Sequence, residues 1–149
     1  MTLRYLLDTS TLSALVAVTP NPLVFARLTE REAQCAIAAP VWSELVYAYE
    51  RLDIGKRKAV LEGFVADVVL KLFPILPFDQ DAASWLALER ARQERAKRAT
   101  AHVDGQIAAI ASVHDLTVVT ASPRDFAHFK GVRVEDWSRP KKQTARRAR

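Results

Sequence analysis

A three-layer α/β/α sandwich around a central, mostly parallel sheet is the fold this sequence predicts. Three observations point to it. Short apolar runs ended by turn or acidic residues recur as LRYLLD, CAIAAP and LTVVTAS, the pattern of strands buried on both faces. Helical stretches of ten or more residues separate them, the length a crossover between parallel strands requires. At 149 residues the chain is sized for one domain with its own core. Crossovers of this kind are right-handed and place helices on both faces of the sheet.

Taken in order, LRYLLD is the first strand and TLSALVAV the first helix, stopped before TPNP. PLVFARLTERE is a second helix, and CAIAAP a strand closed by Pro40. VWSELVYAYERL is helical, with Val41, Leu45 and Ala48 on one face, and Gly55 separates it from the next element. KRKAVLEGFVADVVLKL reads as one long amphipathic helix. FPILPF is strand-like, and its two prolines predict an edge or a very short strand. A helix follows from about Asp81 to Lys97, with Asp79 or Asp81 as its cap. VDGQIAAIASVHD is a helix with Ile107, Ala108 and Ala111 in phase. LTVVTAS and GVRVEDW are the last two strands.

The net charge of +5 is unevenly placed. KKQTARRAR, residues 141–149, holds Lys141, Lys142, Arg146, Arg147 and Arg149 and no acid. Removing these five from the 22 Lys and Arg leaves 17 bases against 17 acids. We therefore expect a nearly neutral domain over residues 1–138 and a flexible basic tail over 139–149, able to touch nucleic acid or simply to stay solvated. The LERARQERAKRA helix is also basic, but its charges are spread around it and Glu94 is spaced to pair with Lys97 and Arg98, so a solvated face is expected. Cys35 is the only cysteine, which excludes an intrachain disulfide and suits a reducing compartment. There is no secretory leader pattern and no apolar run near the roughly 20 residues that span a bilayer. A soluble, cytoplasmic protein is expected.

Ligands of open parallel sheets bind beyond the carboxyl ends of the strands. Asp8 stands at such an end, and TASPRDF follows another. Glu44 and Asp104 lie early in helices with apolar neighbours, Asp104 on the stripe of Ile107 and Ala108. Carboxylates in such places are costly unless paired or bound to a cation. Two like charges at about 4 Å repel by roughly 4 kcal/mol at a dielectric near 20. If Asp8, Glu44 and Asp104 converge, they would either take up protons or recruit a hard divalent cation, Mg²⁺ or Mn²⁺. Such a site polarises a phosphodiester and lowers the pKa of an attacking water. Each residue also has a structural role open to it. Asp8, Thr9 or Ser10 fits a turn or cap, Asp104 the start of a helix dipole, and Glu44 a half-exposed helix face. Ser122, Pro123 and Asp125 fit a capping box, so Asp125 ranks behind the other three. His102, His114 and His128 lack zinc spacing, and four glycines form no phosphate loop.

LLDTS, WSELVYA, DGQIAAIA, VVTASPRDF and VRVEDW, in this order over Leu3 to Trp137, resemble the PIN domain and more narrowly the VapC-type toxins of bacterial toxin–antitoxin pairs. The resemblance implies a Mg²⁺- or Mn²⁺-dependent endoribonuclease. It matches Asp8, Glu44 and Asp104 to the family's acidic positions, with Glu44 acting directly or through water. Where the family's last motif has Asn or Asp, this chain has Ser122. Asp125 is then the candidate for the fourth acid, while Ser122 and Arg124 are candidate phosphate contacts. The partners implied are an RNA substrate, a second copy in a homodimer, and a small antitoxin covering the acidic cleft. The rival reading, favoured by Ser122, is a PIN-like RNA-binding or interaction module without activity. A phosphatase with an Asp8 nucleophile would need an acid two residues on, where Ser10 stands.

Overall fold

Tyr5–Leu7, the first strand β1, are buried on both faces, which is why the run is apolar without alternation. In this computed structural model residues 2–140 are described. The proposed tail from Lys141 onward lies outside them. β1 is followed by α1 (Thr9–Ser13), α2 (Pro22–Arg31), β2 (Cys35–Ala38), α3 (Ala39–Glu50) and α4 (Lys56–Phe64). Then come α5 (Leu70–Leu72), β3 (Ile75–Leu76), α6 (Gln80–Arg95), α7 (His102–Val113), β4 (Thr117–Val119) and β5 (Val134–Glu135).

The sheet order is β3-β2-β1-β4-β5, and every pairing among the described residues is parallel. Tyr5 stands opposite Cys35 on one side and Thr117 on the other, so β1 occupies the centre. The chain moves outward from β1 in one direction through β2 and β3, then returns to its other side at β4. That reversal is the switch point at which doubly wound sheets open a crevice. Helices cover both faces of the sheet. The two-residue β3 lies at an edge, as its flanking prolines predict.

Leu6, Leu7, Ile37 and Val118 of the strands meet Leu12, Val41, Ile107 and Ile110 of the helices, all fully buried. At roughly 25 cal/mol per Å² of apolar area, burial of this kind is the main stabilising term. Burial pushes the Cys35 thiol up to about 12, which leaves it an inert core group.

Three elements depart from the sequence reading. The first helix is five residues long, not eight, and gives way to turns after Ser13. The long helix is interrupted: Val65–Val69 form a π turn between α4 and α5, with Val65 and Val69 both buried. The basic helix α6 carries buried Glu89 and Gln93, where a solvated face was expected. Arg92 donates to both Glu89 oxygens, and the amide of Lys130 also donates to Glu89 at 3.0 Å. Gln93 donates to the His128 carbonyl at 3.2 Å. This polar strap ties α6 to the segment that leads into β5. The cap of α6 is Asp79, which accepts from the Ala82 amide at 3.0 Å.

Candidate active site

Asp8 is fixed from every side because β1 ends there. Its amide donates to the Val119 carbonyl at 2.9 Å, continuing the β1–β4 ladder by one residue. Its carbonyl accepts from Thr11 and Leu12, starting α1. One carboxylate oxygen, Oδ1, accepts from the Thr9 amide at 2.8 Å, so Asp8 caps the helix. The other, Oδ2, accepts from the Thr120 hydroxyl at 2.8 Å and from Ser10 at 3.4 Å. Thr120 directly follows β4 and is fully buried. The carboxylate therefore sits across the switch point, bonded to both central strands' ends.

The hydroxyls after Asp8 do more than start a helix, which was the role the sequence suggested for them. Thr9 donates to Glu44 Oε2 at 2.5 Å, joining α1 to α3. Ser10 accepts from the Ala121 amide at 3.0 Å and lies 3.3 Å from the Thr120 hydroxyl. Thr11 donates to the Val119 carbonyl at 2.9 Å. Sequence reasoning missed Thr9, Ser10 and Thr120 as site residues. The available signal was that hydroxyls immediately follow two strands expected to end at the same edge.

Asp104 lies in the first turn of α7, half-buried. Burial raises its carboxyl from 3.8 to about 6, and the charges of Asp8, Asp125 and Glu44 add to the rise. The other three acids are thus near enough to act on this one carboxyl. The next residue, Gly105, lets α7 lie close to α6. A methyl there would stand 2.9 Å from Leu86 Cδ1. Among the described residues, no three acidic or other metal-binding side chains are gathered into a ready ligand cage. The acids share one end of the sheet without closing on a common point.

The capping box expected at TASPRDF is not formed. Pro123–Phe126 make a short 3-10 turn in which the Asp125 amide donates to the Ser122 carbonyl at 3.0 Å, and the Ser122 side chain makes no capping bond. The structural explanation for Asp125 therefore falls away, leaving an exposed carboxylate whose charge reaches Asp104. Ser122 and Arg124 are exposed beside it and line a cleft of about 620 Å³ with Arg27, Asp125, Asp136 and Arg139.

A mutually repelling set of carboxylates at the carboxyl edge of a parallel sheet suits the same assignment as the sequence motifs. Residues 5–132 match the model of the PIN domain. The chain belongs to the PIN-domain family. Over 137 residues this PIN domain is 31% identical to the tRNA(fMet)-specific endonuclease VapC of Shigella flexneri, covering 91% of this chain and 99% of that one. It is 35% identical to the toxin FitB of Neisseria gonorrhoeae, covering 81% and 89% respectively. A solved structure of FitAB bound to an IR36 DNA fragment superposes with a TM-score of 0.84 at 30% identity, covering 93% of this PIN domain and 99% of that chain.

Proposed function

We propose that the protein is the toxin of a toxin–antitoxin pair, a VapC-type endoribonuclease that hydrolyses RNA phosphodiester bonds at the acidic end of its sheet. The observation that carries the chemistry is the elevated Asp104 carboxyl, raised by burial and by the charges of Asp8, Asp125 and Glu44. Charges held in mutual repulsion favour a counter-cation, and an all-carboxylate donor set favours Mg²⁺ or Mn²⁺ over zinc. The names of the relatives, an endonuclease and a toxin, support the same reading.

In this proposal Asp8 and Asp104 hold the metal, with Glu44 contributing directly or through water and Asp125 as the fourth acid. A bound divalent cation supplies Lewis-acid polarisation of a phosphoryl oxygen and a lowered pKa for the attacking water. The chain's own contribution is positioning. Thr120 and Ser10 fix Asp8 Oδ2, and the Thr9 hydroxyl fixes Glu44 across the gap between α1 and α3. With a carboxyl near 6, Asp104 is mostly ionised at neutral pH and ready to meet a cation.

The proposal seats an antitoxin segment beside this site. A groove of about 600 Å³ runs from Thr9 along Val16, Leu45, Val60 and Phe64, apolar for most of its length. We place the apolar face of a small antitoxin there, adjoining the acids, and a homodimer belongs to the same proposal. Among the described residues no helix is long and apolar enough to cross a membrane. The domain is taken as residues 1–138, although the Arg139 carbonyl still accepts from Arg27 at 2.9 Å.

Purified protein freed of any partner should cleave RNA only when Mg²⁺ or Mn²⁺ is added. Asp8→Asn should abolish cleavage while the fold survives, because Asn still accepts from the Thr9 amide. A variant that cuts as fast as the parent would remove the acidic-site proposal.

A further inference from the structure

Beyond Asp125, the cleft beside the acidic site is lined by bases. Three arginines from three different parts of the chain meet there: Arg27 of α2, Arg124 of the 3-10 turn and Arg139 after β5. Arg27 is half-buried and held in place by two carbonyls, Arg139 at 2.9 Å and Asp136 at 3.4 Å, both reached by Nη1. A guanidinium carries five N–H donors, so Arg27 keeps most of its fork for another acceptor. Arg124 is exposed and has no carboxylate partner among the described residues. Arg139 pairs weakly with Asp136, at 3.6 Å, and its side chain is 82% exposed.

The two acids of the cleft offset part of this charge, and three guanidiniums against two carboxylates leave it basic. Asp136 is turned inward and accepts from the Ser138 amide at 2.9 Å and the Ser138 hydroxyl at 2.5 Å. Asp125 forms the boundary with the acidic site, since its charge acts on Asp104. A basic bank therefore adjoins an acidic site across one residue. The volume, about 620 Å³, lies in the range of sites that take a small organic group such as a nucleotide. The uncommitted forks suit a phosphate, which arginine binds by paired N–H donors.

We propose that this cleft is a phosphate-binding subsite for the RNA strand, holding a nucleotide next to the scissile bond through Arg27, Arg124 and Arg139. The proposal rests on the nuclease reading for its ligand. It assigns the basic contacts that an acidic cutting site lacks, because carboxylates alone repel a polyanion. Arg27 is the contact already held by the fold, and Arg124 and Arg139 are the exposed ones that face the strand.

The test is fluorescence anisotropy with a labelled single-stranded RNA over a salt series, using full-length Asp8→Asn protein without divalent metal so that nothing is cut. Arg124→Ala with Arg139→Ala should weaken binding about tenfold or more. The slope of log K against log salt should become shallower by about 0.7 for each arginine lost. Arg95→Ala, an exposed base on α6, should bind like its background protein, and melting temperatures should agree across the set. Unchanged affinity and slope in the double variant would overturn the proposal, as would an equal loss from Arg95→Ala. Absence of RNA binding by the background protein would overturn it too. A second arm measures cleavage with Asp8 intact and Mg²⁺ present. Cleavage with an unchanged KM in the double variant sinks the subsite alone. No cleavage by the parent, with the slope change still seen, sinks the nuclease reading and leaves the phosphate site standing.

Discussion

Asp104→Asn should make the protein more stable at neutral pH while destroying its activity. The reason is linkage. The Asp104 carboxyl stands at about 6 in the folded chain against 3.8 in the unfolded one. Between those values the folded state holds the extra proton, so its stability falls as pH rises through the window, and the whole penalty is present above about 6. The two values differ by the equivalent of about 3 kcal/mol at 1.36 kcal/mol per pH unit. Asp104 is only half-buried, and screening by water reduces this to roughly 1.5 kcal/mol. Asparagine has no charge to desolvate. Urea denaturation of parent and variant without divalent metal should therefore show the variant ahead by about 1–2 kcal/mol at pH 7.5 and level with the parent near pH 3.5. Adding Mg²⁺ at pH 7.5 should then stabilise the parent by about 1.4 kcal/mol at ten times its dissociation constant, and the variant by much less. A stability difference that is the same at both pH values would refute the electrostatic account of Asp104.

Thr9→Val should lower RNA cleavage about tenfold, since Glu44 loses a hydrogen bond to a charged group worth about 1.5 kcal/mol. Its Mg²⁺ dependence should shift to higher concentration, while the Asp8 cap is kept because it uses the Thr9 backbone. Glu89→Ala should cost about 2 kcal/mol in urea unfolding, because Arg92, Gln93 and the Lys130 amide all lose an acceptor. The Arg92 guanidinium holds the Glu89 carboxyl down to about 2, so its contribution is complete above pH 4.5 and is lost as pH falls towards 2. Parent and variant stabilities should converge on acidification. Asp79→Ala should cost about 1 kcal/mol through the lost α6 cap, with cleavage unaffected.

The strands were legible because burial on both faces leaves an unbroken apolar run, and LRYLLD and LTVVTAS carry that pattern into β1 and β4. Their parallel pairing followed from the helices between them. Asp8, Glu44 and Asp104 were singled out as carboxylates at a strand end or among apolar neighbours, and Asp125 only through the resemblance, as the acid near the position that Ser122 fills. What stayed hidden depends on partners far away in sequence. Thr9 meets Glu44 35 residues on, and Thr120 meets Asp8 across 112. No local pattern encodes such pairs. Ser122–Asp125 misled for the opposite reason, because a capping box is purely local and the chain turned away after four residues. Glu89 was read as solvated because nothing in LERARQERAKRA shows that Lys130 and His128 lie over it.

The central place of β1 fixes how firmly each corner of the acidic site is held. Amide protons of Leu6, Leu7 and Asp8 sit between two strands, under helices, with no edge open to solvent. They should exchange with deuterium only when the whole domain opens. Asp125 rides on a four-residue turn at the surface, and its amide should exchange through small local openings. The site thus has a hard corner and a soft one within the same constellation. Local melting cannot withdraw Asp8. Control that acts by loosening has only the Asp125 side to work on, and control of the rest has to come from something laid over it.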